Sequence, residues 1–344
     1  MNRGQDPDCQ TVTLSCLALA STTLVDRLRS GDTRALARAI STVENRQPGW
    51  TELLKALFPH TGKARVIGLT GAPGSGKSTL VDQLAKHYRK KKENRTVGII
   101  AVDPTSPYTG GAILGDRIRM QDHHGDPGIF IRSMATRGSL GGLARATADA
   151  ATVLDASGRD VVMIETVGVG QDEIDIVRLA DVTIVILVPG MGDDVQTIKA
   201  GIMEIADIFV INKSDRDGAE RVEREIRSMQ SLATRTRGTI HDRWTPPILK
   251  TVASEGVGIE ELAKAIADYE AYLKKENLVL KKNVENWQER LVEMLRDAML
   301  EKARAQMDGG SLERYAAEIA EHKRDPYSLV EELVEETARP VKPK

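Results

Sequence analysis

Cysteine is almost missing from this chain. There are two, Cys9 and Cys16, both near the N-terminus. No disulfide framework can therefore span the fold, and no four-cysteine metal site can form. Aromatic residues make up only 3% of the chain, so a core must be built from Leu, Ile, Val, Ala and Met. Charge of one sign is also missing. The formal balance is −2, which removes the case for bulk nucleic-acid binding. The basic run KHYRKKKENR (Lys86–Arg95) is local and reads as a solvated helix end and turn, or as a patch for an anionic partner. No stretch of transmembrane length is free of charge. Thr11–Val25 is uncharged and resembles the apolar part of a signal peptide. It follows Asp6 and Asp8, however, with Arg3 as the single preceding cation, which is a weak positive flank. A packed N-terminal helix or an extended start fits it better. The expectation is a cytoplasmic protein that acts on neither nucleic acid nor membrane.

Hydrophobic residues are 41% and charged residues 28%, an ordinary globular composition. A length of 344 residues allows one large domain or a core with appendages. Asp26–Leu57 mixes apolar and charged residues at helical spacing, with Gly31–Asp32 at a turn, and predicts two short helices. From Arg65 short apolar runs recur: RVIGLT, TVGIIAVD, GIFIRS, DVVMIET, VTIVILV, IFVIN and ILKTVA. Most show little period-two alternation, as strands covered on both faces should. Helix-like segments separate most of them. This predicts an α/β fold with a doubly wound, mainly parallel sheet. After about Lys282, Trp287, Leu291, Met294, Leu295, Ala298 and Met299 form a helical apolar stripe that ends at DGGS. Two further short helices follow. The stripe packs on its own core or forms an arm for a partner. The divisions read are a helical extension over 1–60, the α/β domain over 61–280 and a C-terminal helical arm over 281–344.

The first strand runs into GAPGSGKST: Gly71, Ala72, Pro73, Gly74, Ser75, Gly76, Lys77, Ser78 and Thr79. This fits G-x-x-x-x-G-K-[ST] in the strand–loop–helix context the motif requires. The glycines let backbone N–H groups turn inward around phosphates, and the following helix aims its positive N-terminus at them. Lys77 should reach the β/γ-phosphates and Ser78 should ligate Mg²⁺.

The phosphate loop does not name the base. NKSD, at the end of IFVIN, does so through Asn212, Lys213 and Asp215. Asp215 can accept from guanine N1–H and the N2 amine, a donor pair that adenine lacks. Asn212 can meet N7 and brace the phosphate loop, and the Lys213 stem can cover the base. Val252, Ala253 and Ser254 follow the next strand. There guanine O6 would meet a backbone amide, expected to be that of Ala253.

Glu165 ends DVVMIET, Asp103 ends TVGIIAVD, and Asp116 lies in GGAILGDRIRM. These three carboxylates could converge on Mg²⁺ or its waters, and Mg²⁺ takes only one or two directly. Asp116 also reads as a helix cap. In ETVGVGQDE the Gly168 amide can bond a γ-phosphate, and Gln171, Asp172 and Glu173 follow. Lys77, Glu165 and Gln171 are the candidates for the hydrolytic step. Gln171 lies three residues past Gly168 rather than directly after it, so slow intrinsic hydrolysis is expected, with a loop that reads the γ-phosphate. Asp193, Gln196 and Lys199, in the loop after VTIVILV, are candidates to face a partner. An ordinary loop and amphipathic helix is the other reading.

DPTSPYTGGAILGDRIRM, RGSLGGLARAT, ETVGVGQDE, PGMGDDVQTIKAGIMEIADIFVINKSD and PPILKTVA resemble the MeaB/ArgK family, over roughly Leu24 to Leu273. The resemblance implies a GTPase using GTP/GDP and Mg²⁺. It implies a chaperone for an adenosylcobalamin-dependent acyl-CoA mutase of the methylmalonyl-CoA mutase type, gating cofactor loading and protecting or reactivating the mutase. It further implies a homodimer formed through C-terminal helices. It places Ser78, Asp103, Asp116 and Glu165 on metal and switch positions, the Gln171 loop on switch II, and Asp193 to Lys199 on a third switch. Two alternatives remain: a P-loop kinase linked to amino-acid transport, and a nickel-insertion GTPase. The second would need Cys/His ligands, for which the core offers only the pair His123–His124.

Overall fold

The computed structural model of the chain describes residues 23–90, 94–103, 125–135, 142–166, 179–190, 205–233, 244–307 and 310–338. The uncharged run up to residue 22 and the pair His123–His124 lie outside them. The described residues divide into two compact units, one up to Leu278 and one from Val279 onward.

The first unit opens with α1 (23–29), α2 (Thr33–Glu44) and α3 (Trp50–Leu57). Three helical pieces stand where the periodicity predicts two. The extra break falls at Asn45–Gly49, where Pro48 precedes Gly49 at φ +87 and a helix cannot continue. Asp32 starts α2 by accepting from the Arg34 and Ala35 amides, a standard N-cap.

Seven parallel strands follow: β1 (Arg65–Gly71), β2 (Val97–Asp103), β3 (Ile129–Ala135), β4 (Val161–Glu165), β5 (Val182–Leu187), β6 (Ile208–Asn212) and β7 (Ile248–Thr251). Every apolar run read as a strand is one. Their order is β3-β2-β4-β1-β5-β6-β7, so β1 is central, and every pairing is parallel. Between them run α4 (Lys77–Lys90), α5 (Gly142–Ala156) and α6 (Ala219–Ala233), and α7 (Ile259–Lys275) follows β7.

Burial on both faces explains the runs. Ile67, Leu69, Val161, Met163, Ile184 and Val210 pack on α4 and α7, through Leu80, Leu84, Leu262 and Ile266. On the opposite face Ile100, Val102, Val162 and Ile164 pack on α5 and on the N-terminal helices, through Leu28, Leu36, Ile40 and Leu57. The N-terminal helices thus share the core of one sheet face. Val185, Leu187, Phe209 and Ile211 pack on α6. Each fully buried Ile or Leu contributes roughly 1.5–3 kcal/mol relative to exposure.

One carboxylate sets where β1 begins. Asp155, near the end of α5, accepts from the amides of Gly62, Lys63 and Ala64 at 2.5, 3.1 and 2.8 Å. Removing it strands three donors that water can partly serve, a cost of about 1–2 kcal/mol. Asp155→Ala should lower the thermal midpoint by about 5 °C and leave nucleotide affinity unchanged. An unchanged midpoint would show that water replaces the carboxylate in full.

The second unit contains α8 (Val279–Gln306), α9 (Ser311–Ala320) and α10 (Pro326–Ala338). α8 has no buried residue. Trp287, Leu291, Met294, Leu295 and Met299 are all exposed on it. Among the described residues, no helix is long and apolar enough to cross a membrane.

Candidate functional site

The site lies where β1, β4, β6 and β7 end. β1 turns at Gly71 and the chain re-enters a helix at Lys77. Gly74 and Gly76 take φ +76 and +90, a region side chains rarely enter. Lys77 is buried at the first turn of α4. Its Nζ donates to the carbonyls of Gly71 and Ala72 at 2.7 and 3.1 Å.

The segment Asn212–Asp215 is tied to this loop by side chains. Asn212 is buried, and its Nδ2 donates to the Ser75 carbonyl at 2.8 Å. Its Oδ1 accepts from Thr251 Oγ1 and from the Ala253 amide, both at 3.1 Å. Lys213 takes φ +55, which is unusual for a side-chain-bearing residue. The turn lets its Nζ reach the Gly74 carbonyl at 2.8 Å. The Ser214 amide donates to the Thr251 carbonyl. Asp215 is thereby presented to solvent at the end of a pinned turn.

The loop after β7 is pinned as well. Val252 and Val257 exchange backbone hydrogen bonds, and Ala253–Glu255 form one 3₁₀ turn. Ala253 is buried in the core beside α4 and α7. The amide expected to meet guanine O6 is thus the one that donates to Asn212. The next amide, of the exposed Ser254, makes no hydrogen bond among the described residues.

Close packing explains one glycine in particular. A Cβ on Gly76 would fall inside the van der Waals envelope of Asn212 Nδ2. Gly76→Ala therefore meets both a positive φ and a displaced Asn212, a combined strain of roughly 1–3 kcal/mol or more. It should abolish detectable binding of a fluorescent GTP analogue and lower the thermal midpoint. Binding within threefold of wild type would mean that the two segments are not coupled.

Opposite the phosphate loop, Ser78 Oγ donates to Glu165 Oε1 at 2.6 Å, with both groups buried. A hydroxyl and a carboxylate at a helix N-terminus are hard oxygen donors of the kind Mg²⁺ selects, so the pair fits that ion. Asp103 closes β2, two residues beyond Ala101, the register partner of Glu165. Among the described residues no group of three or more His, Cys, Asp and Glu side chains gathers at one point.

The structure therefore brings together residues 71–79, Glu165, Asn212, Lys213 and 252–254. Thr79 is exposed on the outer side of the first turn of α4. Asp116, Gly168, Gln171, Asp172, Glu173, Asp193, Gln196 and Lys199 lie outside the described residues. Thr251 is a site residue the sequence reading passed over. A threonine closing the strand before the base loop was the available signal.

Residues 36–308 match the family described as Methylmalonyl Co-A mutase-associated GTPase MeaB. A protein of Pyrococcus abyssi is 48% identical over 316 residues, covering 91% of this chain and 95% of its own. GTPase ArgK of Escherichia coli is 41% identical over 253 residues, covering 72% of this chain and 76% of its own. A crystal structure of a LAO/AO transport system kinase superposes with a TM-score of 0.67 at 30% identity, covering 93% of this chain and 98% of that one.

Proposed function

The chain belongs to the MeaB family of methylmalonyl-CoA mutase-associated GTPases, and from that premise we propose that it is a GTP-driven switch serving an adenosylcobalamin-dependent acyl-CoA mutase. It gates cofactor loading and protects or reactivates the mutase. One observation carries the reading: a family whose name joins GTP hydrolysis to that mutase matches the chain from the N-terminal helices into the C-terminal unit.

The residues fit the task. The backbone N–H groups of residues 71–79, Pro73 excepted, and Lys77 hold the phosphates. Asn212, Lys213 and Asp215 hold guanine, with an amide from 252–254 at O6. Ser78 and Glu165 would hold Mg²⁺, with Asp103 and Asp116 in reserve for its waters. Bound there, Mg²⁺ would neutralise negative charge on the phosphates. Lys77, Glu165 and Gln171 serve the hydrolytic step. Gly168 reads the γ-phosphate, and residues 171–173 and 193–199 convey its presence to the mutase. Hydrolysis is slow alone and quickened by the partner. The exposed apolar stripe of α8 supports a homodimer formed through the C-terminal arm.

The test is GTP turnover by the purified protein, alone and with an acyl-CoA mutase from the same genome. A slow basal rate that rises more than about tenfold supports the switch. A flat response removes the client assignment. The related solved structure bears the name of a transport-system kinase, so the same assay should follow ATP and any phosphorylated product. Phosphorylation of a small molecule would replace the switch reading with that one.

A further inference from the structure

Where β1 and β4 part company, two threonines face each other. Leu69 and Glu165 are the last register partners of this ladder. One residue on, the Thr166 amide still donates to the Leu69 carbonyl at 3.1 Å. The Thr166 hydroxyl donates to Thr70 Oγ1 at 3.1 Å and lies 3.5 Å from the Leu69 carbonyl. Thr70 is 0% and Thr166 1% exposed. Thr70 also pairs with Val185 on β5 and directly precedes Gly71. The hydroxyl bridge therefore joins the root of the phosphate loop to the residue after Glu165.

The faces are opposite by alternation. Val161 and Met163 point toward α4, and Glu165 follows them to Ser78. Val162 and Ile164 point toward the N-terminal helices, and Thr166 follows those. A turn of the peptide between 165 and 166 moves both side chains at once. Both hydroxyls are buried, and valine, of the same shape, keeps the packing while removing the bridge.

We propose that Thr166 is a positioning residue for GTP hydrolysis, its hydroxyl latched to Thr70 so that the end of β4 holds Glu165 against Ser78. The inference rests on the functional reading above for the role of Ser78 and Glu165. The latch acts on the oxygen pair that would hold Mg²⁺, not on the phosphates or the base.

The test compares the full-length wild type with Thr166→Ser, Thr166→Val and the double variant Thr70→Val/Thr166→Val. Three quantities are read: thermal midpoint, kcat and KM for GTP, and the Mg²⁺ concentration that half-maximally slows release of a fluorescent GDP analogue. Both Val variants should lower kcat about tenfold, the scale of a sub-ångström misplacement, with KM within about twofold. They should also raise the required Mg²⁺ about tenfold. The double variant should be no less thermostable than wild type. Thr166→Ser, which keeps the hydroxyl, should stay within twofold of wild type throughout.

Wild-type kcat and Mg²⁺ dependence in the double variant would overturn the proposal. So would a serine variant as impaired as valine, or a double variant that fails to fold, since either makes the pair structural. Wild-type protein that turned over no GTP would remove the functional reading itself, a result distinct from parity between wild type and variant.

Discussion

Lys77→Ala should lower GTP affinity at least about 100-fold while leaving the fold intact. The side chain is buried at the start of a helix, and its ammonium is already held between the Gly71 and Ala72 carbonyls. It is thus preorganised at the mouth of the loop, and little of its rotamer entropy is left to lose when phosphate arrives. Deleting it removes a cation already held at the mouth of the loop. A hundredfold loss corresponds to about 2.7 kcal/mol, within the range for a desolvated charge-assisted contact. Titration calorimetry with GTP measures it, and thermal unfolding shows that the variant is folded. Affinity within threefold of wild type would mean that the phosphates sit elsewhere. Lys77→Arg should fail nearly as badly, because a forked guanidinium does not fit between two carbonyls shaped around an ammonium.

Asp215→Asn should weaken GTP at least about thirtyfold and strengthen xanthosine triphosphate. A carboxylate accepts from both guanine N1–H and the N2 amine. An amide presents a donor to one of them, and the mismatch leaves polar groups unpaired. Xanthine carries a carbonyl where guanine has its amine, so the amide suits it. The effect depends on a rigid delivery of residue 215. The structure supplies this through Lys213 at φ +55, its tie to Gly74, and the Ser214 amide held by Thr251. Competition between the two triphosphates for one fluorescent analogue reads the ratio directly. An unchanged preference would refute the assignment of this loop to the base.

The sheet was legible because its physics is simple. Strands covered on both faces must be apolar throughout, and seven such runs became seven strands. The phosphate loop was legible because glycine at φ +76 and +90 and a lysine at a helix start form a pattern along the chain. What binds the site together was not legible. Asn212 reaches Ser75 across 137 residues, and Thr166 reaches Thr70 across 96. Such contacts depend on strand order, and β1 lies between β4 and β5 only after crossovers that no local pattern spells out. The N-terminal helices erred in the other direction. Periodicity continued through Asn45–Gly49, while Pro48 and the left-handed Gly49 broke the helix there. The Ala253 amide shows the finest limit. A backbone donor is the same in every residue, and only the fold decides which acceptor it meets.

The order of the strands has a last consequence. β1 is fourth of seven, and β3 and β7 are the edges. In a sheet of this kind hydrogen exchange proceeds from the margins inward. The amides of Ile67 and Leu69 should be among the last to exchange, and those of β7 among the early ones. The two halves of the nucleotide site then hang from material of unequal permanence. The phosphate loop is anchored in the central strand and the loop after β7 in a margin. A warmed molecule would lose the Thr251 and Ala253 ties on Asn212 before it lost the root of the phosphate loop.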